Sequence, residues 1–275
     1  MSLVVQTNVP SLTAQRWFDR ATNSVERDLG HLASGLRVSS AADDAAGLGI
    51  AERMSSRVRS YGAALRNLQD GLSLVQTAEG ALGEVHGLLS RLRELAVQSM
   101  NGTNSTEDRA QLETEARSIV TEIDRVSRAT KFNGRALLDG SADGLAIQAG
   151  VDADDTITLS LESANSTTLG VRAVHVHTAA AAQHAVDDVD AAIDRVSTLR
   201  GSLGASANRL QSAHATTMVA RENLSATESR IRDVDVAEAT SALVQHQIPQ
   251  QSSMSVLQQA NLQPALALLL LQPNN

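Results

Sequence analysis

The sequence predicts a mainly α protein, with long helices in an antiparallel bundle or coiled coil and one small β-hairpin. Three observations carry that reading. Apolar residues recur at three- and four-residue spacing over most of the chain. One short stretch alternates apolar and polar residues instead. Aromatic residues are almost missing, with one Trp, one Tyr and two Phe in 275 residues. A compact core normally draws much of its buried area from aromatic rings. Here Ala, Leu, Val and Ile must supply it, which suits closely packed helices.

The elements follow in order. Residues 1–42 hold a short stripe at Val25, Leu29, Leu32 and Leu36. SSAADDAAGLGI at 39–50 then places Asp43 and Asp44 at the start of a helix, where negative charge interacts well with the helix dipole. From Met54 the apolar positions run Val58, Tyr61, Leu65, Leu68, Leu72, Val75, Leu82, Val85, Leu89, Leu92 and Ala96. That is a heptad stripe over roughly six repeats, and it predicts a helix from about Asp44 to about Met100. Gly62, Gly71, Gly80, Gly83 and Gly87 lie within it. Each costs about 1 kcal/mol against Ala, so this helix must lie against partners, and its glycines would let them approach closely.

NGTN at 101–104 is a turn, and Ser105 with Asp108 forms a capping-box pattern. A second helix follows, with Leu112, Ala116, Ile119, Ile123 and Val126 on one face. KFNGRALLDG at 131–140 breaks it. Residues 145–161 alternate, with Ile157, Leu159 and Leu161 against Thr156, Thr158 and Ser160, and this reads as a β-hairpin. Helical spacing returns at Val186, Val189, Ile193, Val196, Leu199, Leu203, Ala207 and Leu210. The last segment, 234–271, is apolar and Gln-rich and contains Pro249 and Pro264.

Composition narrows the function classes. A net charge of −8 offers no basic patch for nucleic acid. ALALLLL at 265–271 is too short to span a bilayer, and no secretory signal pattern is visible. Without cysteine there is neither a disulfide framework nor a thiolate metal site. Adjacent positions on a helix point about 100° apart, so Asp43 and Asp44 would not converge on one reacting atom. His175 and His177 would share one face of an extended segment, with His184 nearby. Two imidazoles at that spacing can hold a metal, but no nearby acid completes the set and a third ligand must come from elsewhere. There is no His-Glu-x-x-His, Glu-x-x-His or Gly-x-Ser-x-Gly pattern and no phosphate-binding glycine loop. The expectation is a protein without catalysis, cofactor or metal. In RLRELAVQS at 91–99, Leu88, Arg91, Leu95 and Gln98 form a second stripe beside the main seam, so this helix touches two neighbours or packs inside a bundle.

Long ordered blocks resemble the bacterial flagellins. They are LASGLRVSSAADDAAGLGIAERM at 32–54, NLQDGLSLVQTAEGALGEVHGLLSRLRELAVQS at 67–99 and TEIDRVSRATKFNGRALLDG at 121–140. Towards the C-terminus come LGASANRLQSA at 203–213, NLSATESRIRDVDVAEATSALVQHQI at 223–248 and SMSVLQQANLQPALALLLL at 253–271. The resemblance implies that the N- and C-termini pair, with 1–43 and 234–275 forming an inner coiled-coil domain. Residues 44–233 would form a rod-like helical domain with the hairpin near 145–161, and no large outer variable domain. It implies a structural subunit that self-assembles into the helical homopolymer of the flagellar filament, secreted through the flagellar type III apparatus. Partners would be an export chaperone, the filament cap and hook–filament junction proteins, with no nucleic acid and no membrane. A junction protein or minor flagellin is the alternative, and the match at 82–99 favours flagellin.

The resemblance also carries residues. Arg91, Leu95 and Gln98, with Glu115 on the next helix, match the region of the family recognised by Toll-like receptor 5, and they are expected to double as an intersubunit contact. Ser90 stands where receptor-active members often carry Gln. Asp43 and Asp44 fall at the joint between the inner domain and the rod. Leu257, Leu266, Leu268 and Leu269 fall in the C-terminal assembly segment. Two departures stand out. Pro249 replaces a helix-compatible residue, and a proline inside a helix costs about 3 kcal/mol, so a kink or break is expected near 245–249. Pro273, Asn274 and Asn275 extend the leucine-rich ending.

Overall fold

A computed structural model describes the backbone of residues 7–271 and the side chains of 7–262. The described chain is mostly helical, apart from a hairpin-and-loop region between Ala129 and Ala179. Helices α1 (Val9–Ser34), α2 (Ala41–Met100) and α3 (Thr106–Ala129) come first. Two small antiparallel hairpins follow, β1–β2 (Lys131–Phe132 and Arg135–Ala136) and β3–β4 (Leu145–Gln148 and Thr156–Leu159). A single-turn α4 (Ser166–Leu169) precedes α5 (Ala179–Arg232) and α6 (Val236–Leu271). Among the described residues no helix is long and apolar enough to cross a membrane.

The chain divides into two compact units, the first drawn from both ends of the sequence and the second from the continuous stretch between them. One comprises Met1–Ser56 with Asn223–Asn275, and the other Arg57–Glu222. In the second unit, Leu68, Val75, Leu82, Val85, Leu89, Leu92 and Ala96 of the α2 heptad stripe are all buried. They pack with Ala116, Ile119 and Ile123 of α3 and with Ala182, Ala185, Val189, Ala192, Val196, Leu203 and Leu210 of α5. The α5 residues repeat at threes and fours, so one face of that helix is apolar and the others are free to be polar. Arg93 of α2 clamps Asp190 of α5 through two nitrogens, at 2.5 and 3.2 Å.

The start of α3 follows from its capping box. Ser105 Oγ accepts the Asp108 N–H at 3.1 Å, and the Asp108 carboxylate accepts the Ser105 N–H at 3.0 Å. The β3–β4 register pairs Leu145 with Leu159 and Ile147 with Ile157. Ile157 and Leu159 face the core while Thr156 and Thr158 face solvent. The period of two therefore gives a half-buried hairpin. Of the five α2 glycines in this stretch, Gly71 alone meets a close neighbour. A Cβ there would lie 3.2 Å from Ile147 of the hairpin, whereas Gly80, Gly83 and Gly87 have open space around them. Close helix approach therefore does not explain most of these glycines.

In the first unit α1 and α6 lie side by side. Asn8 Nδ2 donates to the Ala260 carbonyl at 2.8 Å, Gln250 Nε2 to Thr22 Oγ1 at 3.1 Å, and His246 Nδ1 lies 2.6 Å from Asp28 Oδ2. α6 is helical throughout Val236–Leu271, so the break expected near 245–249 does not occur. Proline at 249 removes one backbone donor. The contacts of His246 and Gln250 with α1 bracket that position and hold the helix on both sides of it. The small buried residues Ala14, Ala21, Val25 and Ala260 allow the two helices to come close.

Candidate functional site

Three groups of residues bear on function. The first is the segment around Asp43 and Asp44, which the structure gives two separate roles. Asp43 Oδ2 accepts hydrogen bonds from the N–H and Oγ of both Ser39 and Ser40, at 2.9 to 3.2 Å. The backbone and side-chain donors of Ser40, with those of Ser39, hold the Asp43 carboxyl well below the ordinary carboxylate range. Asp44 is extended (φ −160°, ψ 100°) and separates the first turn of α2 from the long helix. Its Oδ1 accepts the Gly47 N–H at 2.9 Å, so Asp44 caps that long helix. His31 Nε2 lies 3.5 Å from Asp43 Oδ1. Beside this, the Arg37 N–H donates to the Arg232 carbonyl at 2.7 Å, and Leu36 pairs with Asp233 as an isolated bridge. The chain leaving α1 is thus tied to the chain linking α5 and α6.

The second group is the exterior of the paired chain ends. Trp17 is 59% exposed and Ile248 63%, and Leu12, Leu29, Val236, Val244, Met254 and Val256 are also largely exposed. Leu257 is half-buried. The side chains of Leu266, Leu268 and Leu269 lie outside the described residues, as do Pro273, Asn274 and Asn275.

The third group lies on α2 and α3. Arg91 Nε and Nη2 donate to Glu115 Oε1 at 3.0 and 2.8 Å, and Nη1 donates to Glu94 Oε2 at 3.0 Å. These hydrogen bonds, Glu115 first, raise Arg91 above its ordinary value. Gln98 is exposed, but Leu95 is completely buried. The expectation of Leu95 as a surface contact is corrected here. Four residues from Arg91 it is also three from Leu92 and one from Ala96, and α2 is covered over a wide arc by its neighbours, so position 95 turns into the core.

A further cluster joins α3 to the loop before α5. Glu113, 7% exposed, accepts the Val176 N–H through Oε2 at 2.6 Å. Its Oε1 meets His175 Nδ1 at 2.7 Å and Arg117 Nε at 2.8 Å. Burial pushes this carboxyl up, but the hydrogen bonds from His175, Val176 and Arg117 outweigh it and hold it at about 2. His175 and His177 pack edge to face with ring centres 5.6 Å apart. The histidine pair is visible in the sequence. Glu113 comes from 62 residues earlier, and no local pattern marks it.

The hairpin-bearing helical bundle and the paired terminal helices define a mainly helical protein in which one continuous bundle is flanked in sequence by two helices that pair with each other. The bacterial flagellin N-terminal helical region matches residues 5–143, and the bacterial flagellin C-terminal helical region matches 186–271. The chain belongs to the bacterial flagellin family. It is 43% identical to a flagellin of Halalkalibacterium halodurans, over 98% of this chain and 100% of that protein. It is 36% identical to a flagellin of Bacillus subtilis, over 96% and 98%. Among solved structures, Bacillus cereus flagellin is similar with a TM-score of 0.51 at 32% identity, covering 55% of this chain and 88% of that one. A putative flagellar hook-associated protein of Vibrio parahaemolyticus shares the fold, with a TM-score of 0.54 at 16% identity, covering 67% and 95%.

Proposed function

We propose that the chain is the structural subunit of a flagellar filament, and that copies assemble through the paired terminal helices. The exposed apolar residues of α1 and α6 carry this reading. Within one chain the pair buries mainly alanines, while Trp17, Leu29, Val244, Ile248 and Val256 stay open to solvent. Exposed apolar side chains in such number are stable in water chiefly when further copies cover them. In this reading 1–43 with 234–275 forms the inner domain, 44–233 the rod, and Asp43 with Asp44 the joint. Leu257, Leu266, Leu268 and Leu269 extend the assembly surface. The reading extends to export through the flagellar type III apparatus, with a chaperone, a filament cap and junction proteins as partners, on the resemblance of the terminal blocks to flagellins. The test is electron microscopy of purified protein after seeding. Wild type should form filaments, whereas Val244→Asp with Ile248→Asp should stay dispersed with unchanged helical content. Filaments of the double variant would overturn the assembly surface.

The exposed Arg91–Glu115 pair, with Gln98, supports a second role as a ligand of Toll-like receptor 5. Leu95 acts there only by holding α2 in the core. Arg91→Ala should lower activation of a receptor reporter by dispersed protein, and intact filaments should activate it far less than dispersed protein. Wild-type signalling by Arg91→Ala would remove this surface from the reading.

A further inference from the structure

We propose that Glu113, His175 and His177 form a binding site for a first-row divalent cation of the zinc class. One ligand atom from each of the three residues can be chosen so that all lie within 4.8 Å of one another. The donor types fit that class, because two imidazole nitrogens and one carboxylate oxygen form a zinc-type set that leaves a position for water. Calcium and magnesium, which favour all-oxygen ligands, are poorly matched.

The backbone prepares this arrangement. Along 174–177 burial alternates, with Val174 and Val176 in the core and both histidines on the outer side. Val176 is fixed at both of its polar atoms. Its N–H donates to Glu113, and its carbonyl accepts from the buried Ser99 hydroxyl. The two imidazoles are therefore carried on a segment that cannot easily turn, beside the Glu113 carboxylate. Without a metal, His175 and Arg117 satisfy Glu113 Oε1. A cation entering between the carboxylate and the rings takes the place of both donors. His175 Nδ1, which otherwise lies 2.7 Å from the Glu113 carboxylate, turns its contact to the ion. The Arg117 side chain is 68% exposed and can swing into water. Bound in this way, the ion links α3 to the loop preceding α5 within a single unit.

The experiment uses the metal-free full chain in dispersed form, titrated calorimetrically with zinc chloride near neutral pH, and with calcium chloride as control. One saturable zinc ion per chain is expected, together with a raised thermal midpoint. Calcium should do neither. His177→Ala removes one ligand and leaves the Glu113–His175 pair intact, so the fold is kept. It should weaken zinc binding roughly tenfold or more and shrink the thermal shift at a fixed zinc concentration. Arg117→Ala removes the competing cation and should tighten binding. The proposal is overturned if wild type shows no saturable site, or if His177→Ala binds zinc as wild type does. Neither result bears on filament formation.

Discussion

Asp43 collects four hydrogen bonds on one oxygen, while Asp44 beside it caps a different stretch of helix. The geometry of that cap determines what Gly47 can become. In a helix interior Gly→Ala normally stabilises by about 1 kcal/mol. At 47 the added Cβ would stand 2.2 Å from Asp44 Oδ2 and 2.8 Å from Cγ, so the carboxylate must swing away and release the Gly47 N–H. Losing such a cap costs about 1 kcal/mol. Gly47→Ala alone should therefore be neutral or destabilising in urea unfolding. In an Asp44→Ala background it should recover its gain of about 1 kcal/mol, a coupling that a double-mutant cycle reads directly. A full gain in the wild-type background would mean that Asp44 is not the cap. Much of this is written locally, since acids and glycine cluster within five residues. Leu95 was less legible, because a helix covered on two sides presents two apolar stripes and spacing alone does not say which stays in water.

At the scale of elements, α2, α3, the β3–β4 hairpin and α5 were all legible, because each carries an uninterrupted period of 3.5 or 2 residues or a capping box. α6 was not, because a local rule for proline competes with tertiary contacts. The helix passes through Pro249 with Gln245 lacking its usual partner, while His246 and Gln250 hold it to α1. The proline is exposed and should still weaken the pair. Pro249→Ala should raise the thermal stability of α1 with α6 by about 1–3 kcal/mol. No change, or a loss, would show that the helix is not continuous there. The β1–β2 hairpin is carried by Asn133-Gly134, both at positive φ, a dipeptide that ends the preceding helix and closes a tight hairpin at the same time. The Glu113 cluster was half legible. Its histidines are two apart, but their acid sits on another element and is brought in only by packing.

For the whole molecule, the two compact units differ in what they bury. Among the described residues, the largest fully buried side chains, from Leu68 to Leu210, all belong to Arg57–Glu222, whereas the described pairing of α1 with α6 buries mainly alanines and adds a few hydrogen bonds. Burial at about 25 cal/mol per Å² favours the former strongly. Trp17, the chain's single tryptophan, lies on α1 in the weaker unit, with the Arg20 guanidinium 5.3 Å from its ring centre. The protein therefore carries one indole fluorophore, placed on the surface proposed to meet other copies. On heating dispersed protein, its emission should change before the bulk of the far-ultraviolet circular dichroism is lost. On polymerisation the same emission should shift to the blue and become resistant to acrylamide quenching. Coincident melting would mean that the two units unfold together, and unchanged emission in filaments would leave the ring facing water in the polymer.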